Sequence, residues 1–162
     1  MAIEYFLKFP SIKGESLATK HKEEIELLSW SWGASNPTTI VGSGMSTGKV
    51  SVSDLTITKR VDKASPKLLE LLVTGKHVSD ATLYCQKQTG DKTPQDYLTI
   101  KLKEVYVSSY QTGGSHGDDL GSESVSLTYG NINYDYKEQK PDGSLVSAGN
   151  IEYDLFKREQ TA

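Results

Sequence analysis

The groups able to do chemistry in this chain are few and scattered. His21, His77 and His116 include no two residues at the spacing of a metal-binding pair, so a zinc centre would need ligands assembled by the fold alone. His77 and Cys85 could be imagined as base and nucleophile. Cys85, however, continues the alternation of Ala81 and Leu83, has no activating neighbour in sequence, and reads as a small inward hydrophobe. As the sole cysteine it also excludes an internal disulfide. The stretch Gly113-Gly114-Ser115-His116-Gly117-Asp118-Asp119 lacks the alternating ligands and closing Glu of a calcium loop and reads as a turn between strands. Residues 42–49 resemble a phosphate-binding loop only superficially. Counting back from Gly48-Lys49 puts Ser43 at the first glycine position, Val50 replaces the magnesium-binding hydroxyl, and the next residues alternate as a strand instead of opening a helix. The expectation is a protein that is not an enzyme and uses no metal or cofactor.

The polar faces of the strands carry more information. Beside Trp30 and Trp32 lie Ser29 and Ser31; opposite Val50, Val52, Leu55 and Ile57 lie Ser51, Ser53, Thr56 and Thr58; opposite Val125, Leu127 and Tyr129 lie Ser124, Ser126 and Thr128. A strand face open to bulk solvent more often carries Lys and Glu. Closely spaced small hydroxyls suit a face that meets another subunit or lines a wet passage, although the β propensity of Thr in an ordinary soluble sheet gives the same pattern.

The elements that hold these faces alternate with period two and then slip phase by one residue, four times over. Ile25 and Leu27 hand over to Leu28, Trp30 and Trp32; Val50 and Val52 to Leu55 and Ile57; Leu98, Ile100 and Leu102 to Val105 and Val107; Val125, Leu127 and Tyr129 to Ile132, Tyr134 and Tyr136. A slip puts every later side chain on the wrong face unless a bulge or bend restores the inward direction, and long bent strands belong to closed barrels. Eight short abutting strands would need turns at the slips, and only Gly130-Asn131 looks like one. An opening strand alternates through Ile3, Tyr5, Leu7 and Phe9 and stops at Pro10, and residues 11–22 read as a polar connector. Ser65 as cap, Pro66 at the first position, the stripe Leu68, Leu69, Leu71 and Leu72, and Gly75 after the end predict one short helix packed on the core. Turns are expected at Thr89-Gly90-Asp91, Thr112-Gly113-Gly114 and Pro141-Asp142-Gly143. The predicted fold is mostly β: a bent-strand antiparallel β-barrel with one short flanking α-helix and an extended loop, over a single domain spanning residues 1–162. That loop, residues 36–49, has no sustained period; Ile40, Val41, Gly42, Met45 and Lys49 lie in it as candidates for a contact with a partner, with Trp30 and Trp32 assigned to the core.

Eighteen basic and twenty-one acidic residues give a formal charge of −3, which supplies no basic field for nucleic acid or an anionic membrane. No apolar run approaches the ~18 residues of a membrane span, and the acid at Glu4 stands where a secretory signal wants a basic region, so a protein made and folded in the cytosol is expected.

These residues also carry a resemblance. The segment His21-Lys-Glu-Glu-Ile-Glu-Leu-Leu-Ser-Trp-Ser-Trp-Gly33, then Asp54-Leu-Thr-Ile-Thr-Lys-Arg-Val-Asp62 running into Ser65-Pro66, Gly75-Lys76-His77, and Leu102-Lys-Glu-Val105 through Ser108-Ser109 to Gly113-Gly114-Ser115, resembles the hemolysin-coregulated protein (Hcp) family over most of the chain. The resemblance implies a bent barrel with a helix, a homohexameric ring, and rings stacked as the inner tube of the bacterial type VI secretion apparatus. It further implies partners in a VgrG-type spike, a contractile sheath and effector proteins in the lumen, export without a signal peptide, and kinship with contractile phage tail tubes. Under this resemblance Ser29 and Ser31 face the lumen. Two other classes remain open from the residues: a carbohydrate- or peptide-binding barrel with Tyr106, Tyr110, Tyr134 and Tyr136 as an aromatic platform, and a small hydrolase in which His77 converges with Asp118 or Asp119.

Overall fold

A computed structural model describes residues 3–42, 44–88 and 93–160. In chain order its elements are β1 (Ile3–Lys8), β2 (Ile25–Leu27), β3 (Ser29–Ser31), β4 (Ala34–Ser35), β5 (Thr38–Val41), β6 (Gly44–Thr47), β7 (Ser51–Val52), β8 (Leu55–Arg60), α1 (Ser65–Thr74), β9 (Val78–Lys87), β10 (Gln95–Gly113), β11 (Ser122–Gln139), β12 (Leu145–Asp154) and β13 (Glu159–Gln160). The expected turn at Thr89-Gly90-Asp91 lies outside the described residues, as do Ser43 and the Val41 side chain.

The main sheet is antiparallel and runs β13-β12-β11-β10-β9-β1-β2, with β8 paired to the first half of β11 and β3 paired to β8. The mostly-β antiparallel class is as expected, but the hydrogen-bonded path does not close into a barrel. β2 ends the path and β3 ends the branch through β8; the chain passes from one to the other at Leu28, whose N–H donates to the Thr58 carbonyl.

The four slips resolve in two ways. In β10 and β11 the strands run straight through them. Glu104, at φ 54, turns β10, and Gly130 lies between the matching registers of β11: Lys103 pairs with Asn131 and Val105 with Tyr129, so the two strands bend together and keep their pairing. The Phe156 ring lies against Gly130, so a side chain there would displace that ring, and Gly130 is within the strand and not a turn. The other two slips are breaks, contrary to the bent-strand expectation. Ile25–Leu27 pairs with β1 whereas Ser29–Ser31 pairs with β8, so the chain changes partner at Leu28 and leaves that side chain half exposed instead of on the inward face of the tryptophans. Residues 53–54 separate β7, which pairs with β4, from β8.

Inward residues of β1, β8, β9, β10 and β11 make one core, including Leu7, Leu55, Ile57, Leu83, Ile100, Leu102, Val125 and Leu127, and Leu68 of α1 joins it. Burying a side chain of this size contributes roughly 1.5–3 kcal/mol. The helix has the expected length, and Gly75 ends it at φ 67, its N–H reaching the carbonyls of Leu71 and Leu72. Ser65 is not its cap: Ala64 holds that position, the Asp62 carboxylate accepts from the Ala64 N–H at 2.9 Å, and Ser65 Oγ accepts from the Asp62 N–H at 3.0 Å. Of the leucine stripe, Leu68 is buried and Leu69 is exposed.

The extended loop is likewise corrected. It is a β-hairpin arm in which β5 pairs with β6 and its root is held by β4 and β7. Gly48 packs so closely on Pro37 that an added Cβ would lie 2.8 Å from Pro37 Cγ, and its N–H donates to the Pro37 carbonyl at 2.6 Å. The C-terminal turn is as expected. Gly143, at φ 92, donates to the Lys140 carbonyl, and Asp142 accepts from the backbone and hydroxyl of Ser144.

Candidate functional site

The ladders bring the small hydroxyls of four strands into one surface. Ser31, Thr56, Ser126 and Ser109 stand in register across β3, β8, β11 and β10, and beside them run Ser29, Thr58, Ser124 and Gln111. Ser29 and Ser31 are exposed, and Thr56 and Ser126 are hydrogen-bonded at 3.1 Å. Charges occur only at the ends of this belt. At one end the Asp54 carboxylate accepts from Ser108 at 2.6 Å and Thr128 at 3.0 Å; at the other Arg60 pairs with Asp118 at 3.2 Å. Such a face offers many weak, rotatable donors and acceptors and no strong field.

Behind the belt, Trp30 and Trp32 are half-buried and pack against the core: Trp30 meets Tyr5 edge-on, and Trp32 Nε1–H donates to the Tyr129 hydroxyl, which donates to the Ser53 carbonyl at 2.7 Å. On the arm, Ile40 and Met45 are register partners and therefore share one face, 78% and 72% exposed. Gly42 turns the hairpin at φ 58, and Lys49 is exposed at its root.

Two polar networks escaped the sequence reading. Lys59 is fully buried, and its ammonium reaches Glu123 and Asp62 at 2.9 Å, the Arg60 carbonyl at 2.9 Å and Ser65 Oγ at 3.1 Å. Burial opposes charge on Glu123, but hydrogen bonds from Tyr110, Lys59 and Ser65 outweigh it and hold the carboxyl below its ordinary range. Their legible signal is parity, since Lys59 follows Leu55 and Ile57, and Glu123 precedes Val125 and Leu127, on the inward face. The second network lies in the connector. His21 stacks on Phe6 and contacts Tyr84, with Nδ1 3.0 Å from Glu24 and Nε2 2.7 Å from Asp96. Burial works against the charged ring, yet the hydrogen bonds and charges of Asp96 and Glu24 win and raise its pKa to about 9.

The hydrolase constellation does not assemble. His77 pairs with Glu104 and lies tilted against the Tyr106 ring, whereas Asp118 pairs with Arg60. Burial pushes the Cys85 thiol up to about 12. The tyrosine platform does not assemble either: Tyr106 is exposed beside His77, Tyr110 donates to buried Glu123, and Tyr134 packs near Trp32. Among the described residues no cluster of three His, Cys, Asp or Glu side chains could hold a metal ion, and no helix is long and apolar enough to cross a membrane.

Comparison with known proteins places the chain in a family. The family described as type VI secretion system effector, Hcp, matches residues 6–136. Protein hcp1 of Pseudomonas aeruginosa is 43% identical over 154 residues, covering 94% of this chain and 94% of that protein. A solved type six secretion system protein superposes with a TM-score of 0.91 at 32% identity, over 99% of this chain and all of the other. Hcp1 from Salmonella typhimurium gives 0.78 at 33% identity over 99% of this chain and 100% of that chain. With the match extending across the β core, the helix and the arm, the chain belongs to the Hcp family of the type VI secretion system.

Proposed function

We propose that this chain is the building block of the type VI inner tube: six copies close into a ring, rings stack, and the hydroxyl belt containing Ser29 and Ser31 lines the lumen through which effector proteins are carried. The tube is expelled by a contractile sheath behind a VgrG-type spike, so the protein is made in the cytosol and leaves the cell through the apparatus without a signal peptide. The observation that carries this reading is the belt itself, two registered rows of uncharged polar side chains over four strands, bounded by Asp54 and Arg60. A free strand edge adds support. Among the described residues β12 pairs with β11 alone over 145–152, and a heterologous contact that closes on itself covers such an edge in every copy. The arm, with Ile40 and Met45 presented at its face, is the element that meets the next ring.

Negative-stain electron microscopy of the purified protein tests the reading. Six-fold rings with an open centre are expected. A monomer at micromolar concentration in low salt, by sizing with light scattering, overturns it.

A further inference from the structure

At its Arg60 end the hydroxyl belt runs into a pocket of about 250 Å³ whose floor is Leu28, Val61 and Leu120 and whose rim carries Glu15, Glu26, Arg60 and Asp62. We infer that this pocket is a cargo anchor, which takes a lysine or arginine side chain of the polypeptide carried along the belt. The inference rests on the tube reading above and adds the side-chain chemistry that the wall selects.

The pocket is continuous with the belt. Leu28 directly precedes Ser29, and its N–H donates to the Thr58 carbonyl at 2.7 Å; Arg60 follows Thr58 by two residues and stands on the same face of β8. The pocket exists because the chain changes partner at Leu28: β2 turns away to β1, and the space between residues 26–28 and the end of β8 stays open. The belt itself carries no apolar side chain. A polypeptide lying along it therefore meets apolar surface on reaching this end, where Leu28, Val61 and Leu120 are 49%, 38% and 51% exposed.

Charge decides which side chain enters. Arg60 is neutralised by Asp118 at 3.2 Å and Asp62 by Lys59 at 2.9 Å. Glu15 accepts the Lys63 backbone N–H at 2.8 Å, and among the described residues neither Glu15 nor Glu26 has an ion pair. Two uncompensated carboxylates above an apolar floor match a long aliphatic stem with a cationic head: the methylenes cover the leucines and Val61 while the head stays wet beside the acids. An acidic side chain is repelled, and a purely apolar one leaves both carboxylates uncompensated. Six copies of the pocket repeat around a ring, so cargo with several basic side chains is held by many weak contacts, each released readily.

The test uses the full chain as purified rings and short fluorescent Gly-Ser peptides carrying arginine, glutamate or norleucine at the same positions, with binding read by anisotropy. The arginine peptide should bind the parent at least ~3-fold more tightly than either other peptide. Glu15→Gln combined with Glu26→Gln should remove that preference, and Leu120→Ser should weaken binding as well. Glu70→Gln combined with Glu138→Gln removes the same formal charge at exposed sites outside the pocket and should leave binding unchanged. Equal loss in the two double variants makes the attraction a general one and overturns the anchor, as does an arginine peptide that binds no better than norleucine, or a Leu120→Ser variant that binds like the parent. Leu28→Cys should react with maleimide in assembled rings, with Cys85 buried and giving no background. A Leu28→Cys thiol shielded in rings shows that a neighbouring subunit fills the pocket, which overturns the cargo assignment and leaves the tube reading in place. A parent chain that never forms rings overturns the tube reading, and the cargo role with it.

Discussion

Lys59 and Glu123 stand directly opposite each other in the β8–β11 ladder, and their charged groups meet 2.9 Å apart on the face that otherwise carries Leu55, Ile57, Val125 and Leu127. The pair is tied to the first turn of α1 through Ser65, whose hydroxyl donates to the same Glu123 oxygen at 2.9 Å. Helix position and strand register are therefore set by one polar knot inside an apolar core, and a shift of either element would strand a buried charge.

Removing one partner of such a pair costs ~3–5 kcal/mol because the other charge is left buried. Glu123→Ala should lower unfolding stability in urea by that amount, while the double replacement Lys59→Met with Glu123→Leu should cost much less. Because the folded-state Glu123 carboxyl sits below its ordinary range, its contribution is present above that range and is lost as pH falls through the lowered value. An acid midpoint unchanged in Glu123→Ala would show that the knot does not govern acid stability.

His21 works with the opposite sign. Its folded pKa of about 9 lies above the ordinary 6.5, so its contribution is complete below pH 6.5 and fades as pH rises through about 9. The shift corresponds to an upper bound of about 3 kcal/mol at low pH. The difference in stability between the parent and His21→Gln should shrink steadily from pH 6 to pH 9.5 in thermal melts. A difference that stays constant over this range would place His21 in a packing role, through its stacking on Phe6, and not in an ionic one.

Neighbouring residues on opposite faces of β3 should respond differently to substitution. Ser31→Trp projects from the exposed hydroxyl belt and should leave rings and melting temperature unchanged while lowering the amount of effector that copurifies with the ring. Trp30→Ala removes a half-buried ring that packs on the core and on Tyr5, at the lower end of the ~3–5 kcal/mol typical of aromatic truncation. Equal destabilisation by the two variants would overturn the facing assignment.

Alternation made the inward faces of β8, β10 and β11 legible, and cap chemistry placed the end of α1 at Gly75. What alternation could not reveal was whether a slip bends a strand or ends it, because that depends on the neighbour. The same one-residue slip is a shared bend where Lys103 and Val105 keep their partners on β11, and a break where Leu27 pairs with Tyr5 but Ser29 with Thr58. Lys59 and Glu123 sat at inward positions all along, but a charge at the end of an apolar run reads as a strand emerging into water. His21 was hidden by its setting, a polar connector that turns back over Phe6 on the far side of β1 from the core. The arm showed no periodicity because neither of its faces meets the core, so nothing selects alternating apolar residues there.

The arm gives the last prediction. Since it is already a paired hairpin within a single chain, braced at Gly48 and Pro37, docking need not order a free loop, and most of the ~1 kcal/mol per residue cost of fixing a loop has been met on folding. Its contact with another ring is then limited by small area and not by disorder. Replacing residues 40–47 with a short Gly-Ser turn keeps the β4–β7 root and touches no core residue, so domain stability should change by no more than about 0.5 kcal/mol. Rings should still form, because the β12 edge is intact. Tubes should not, and export of the protein into the medium should fall with them. Normal tube length together with full export in this variant would remove the arm from stacking and leave its exposed Ile40 and Met45 without a role in assembly.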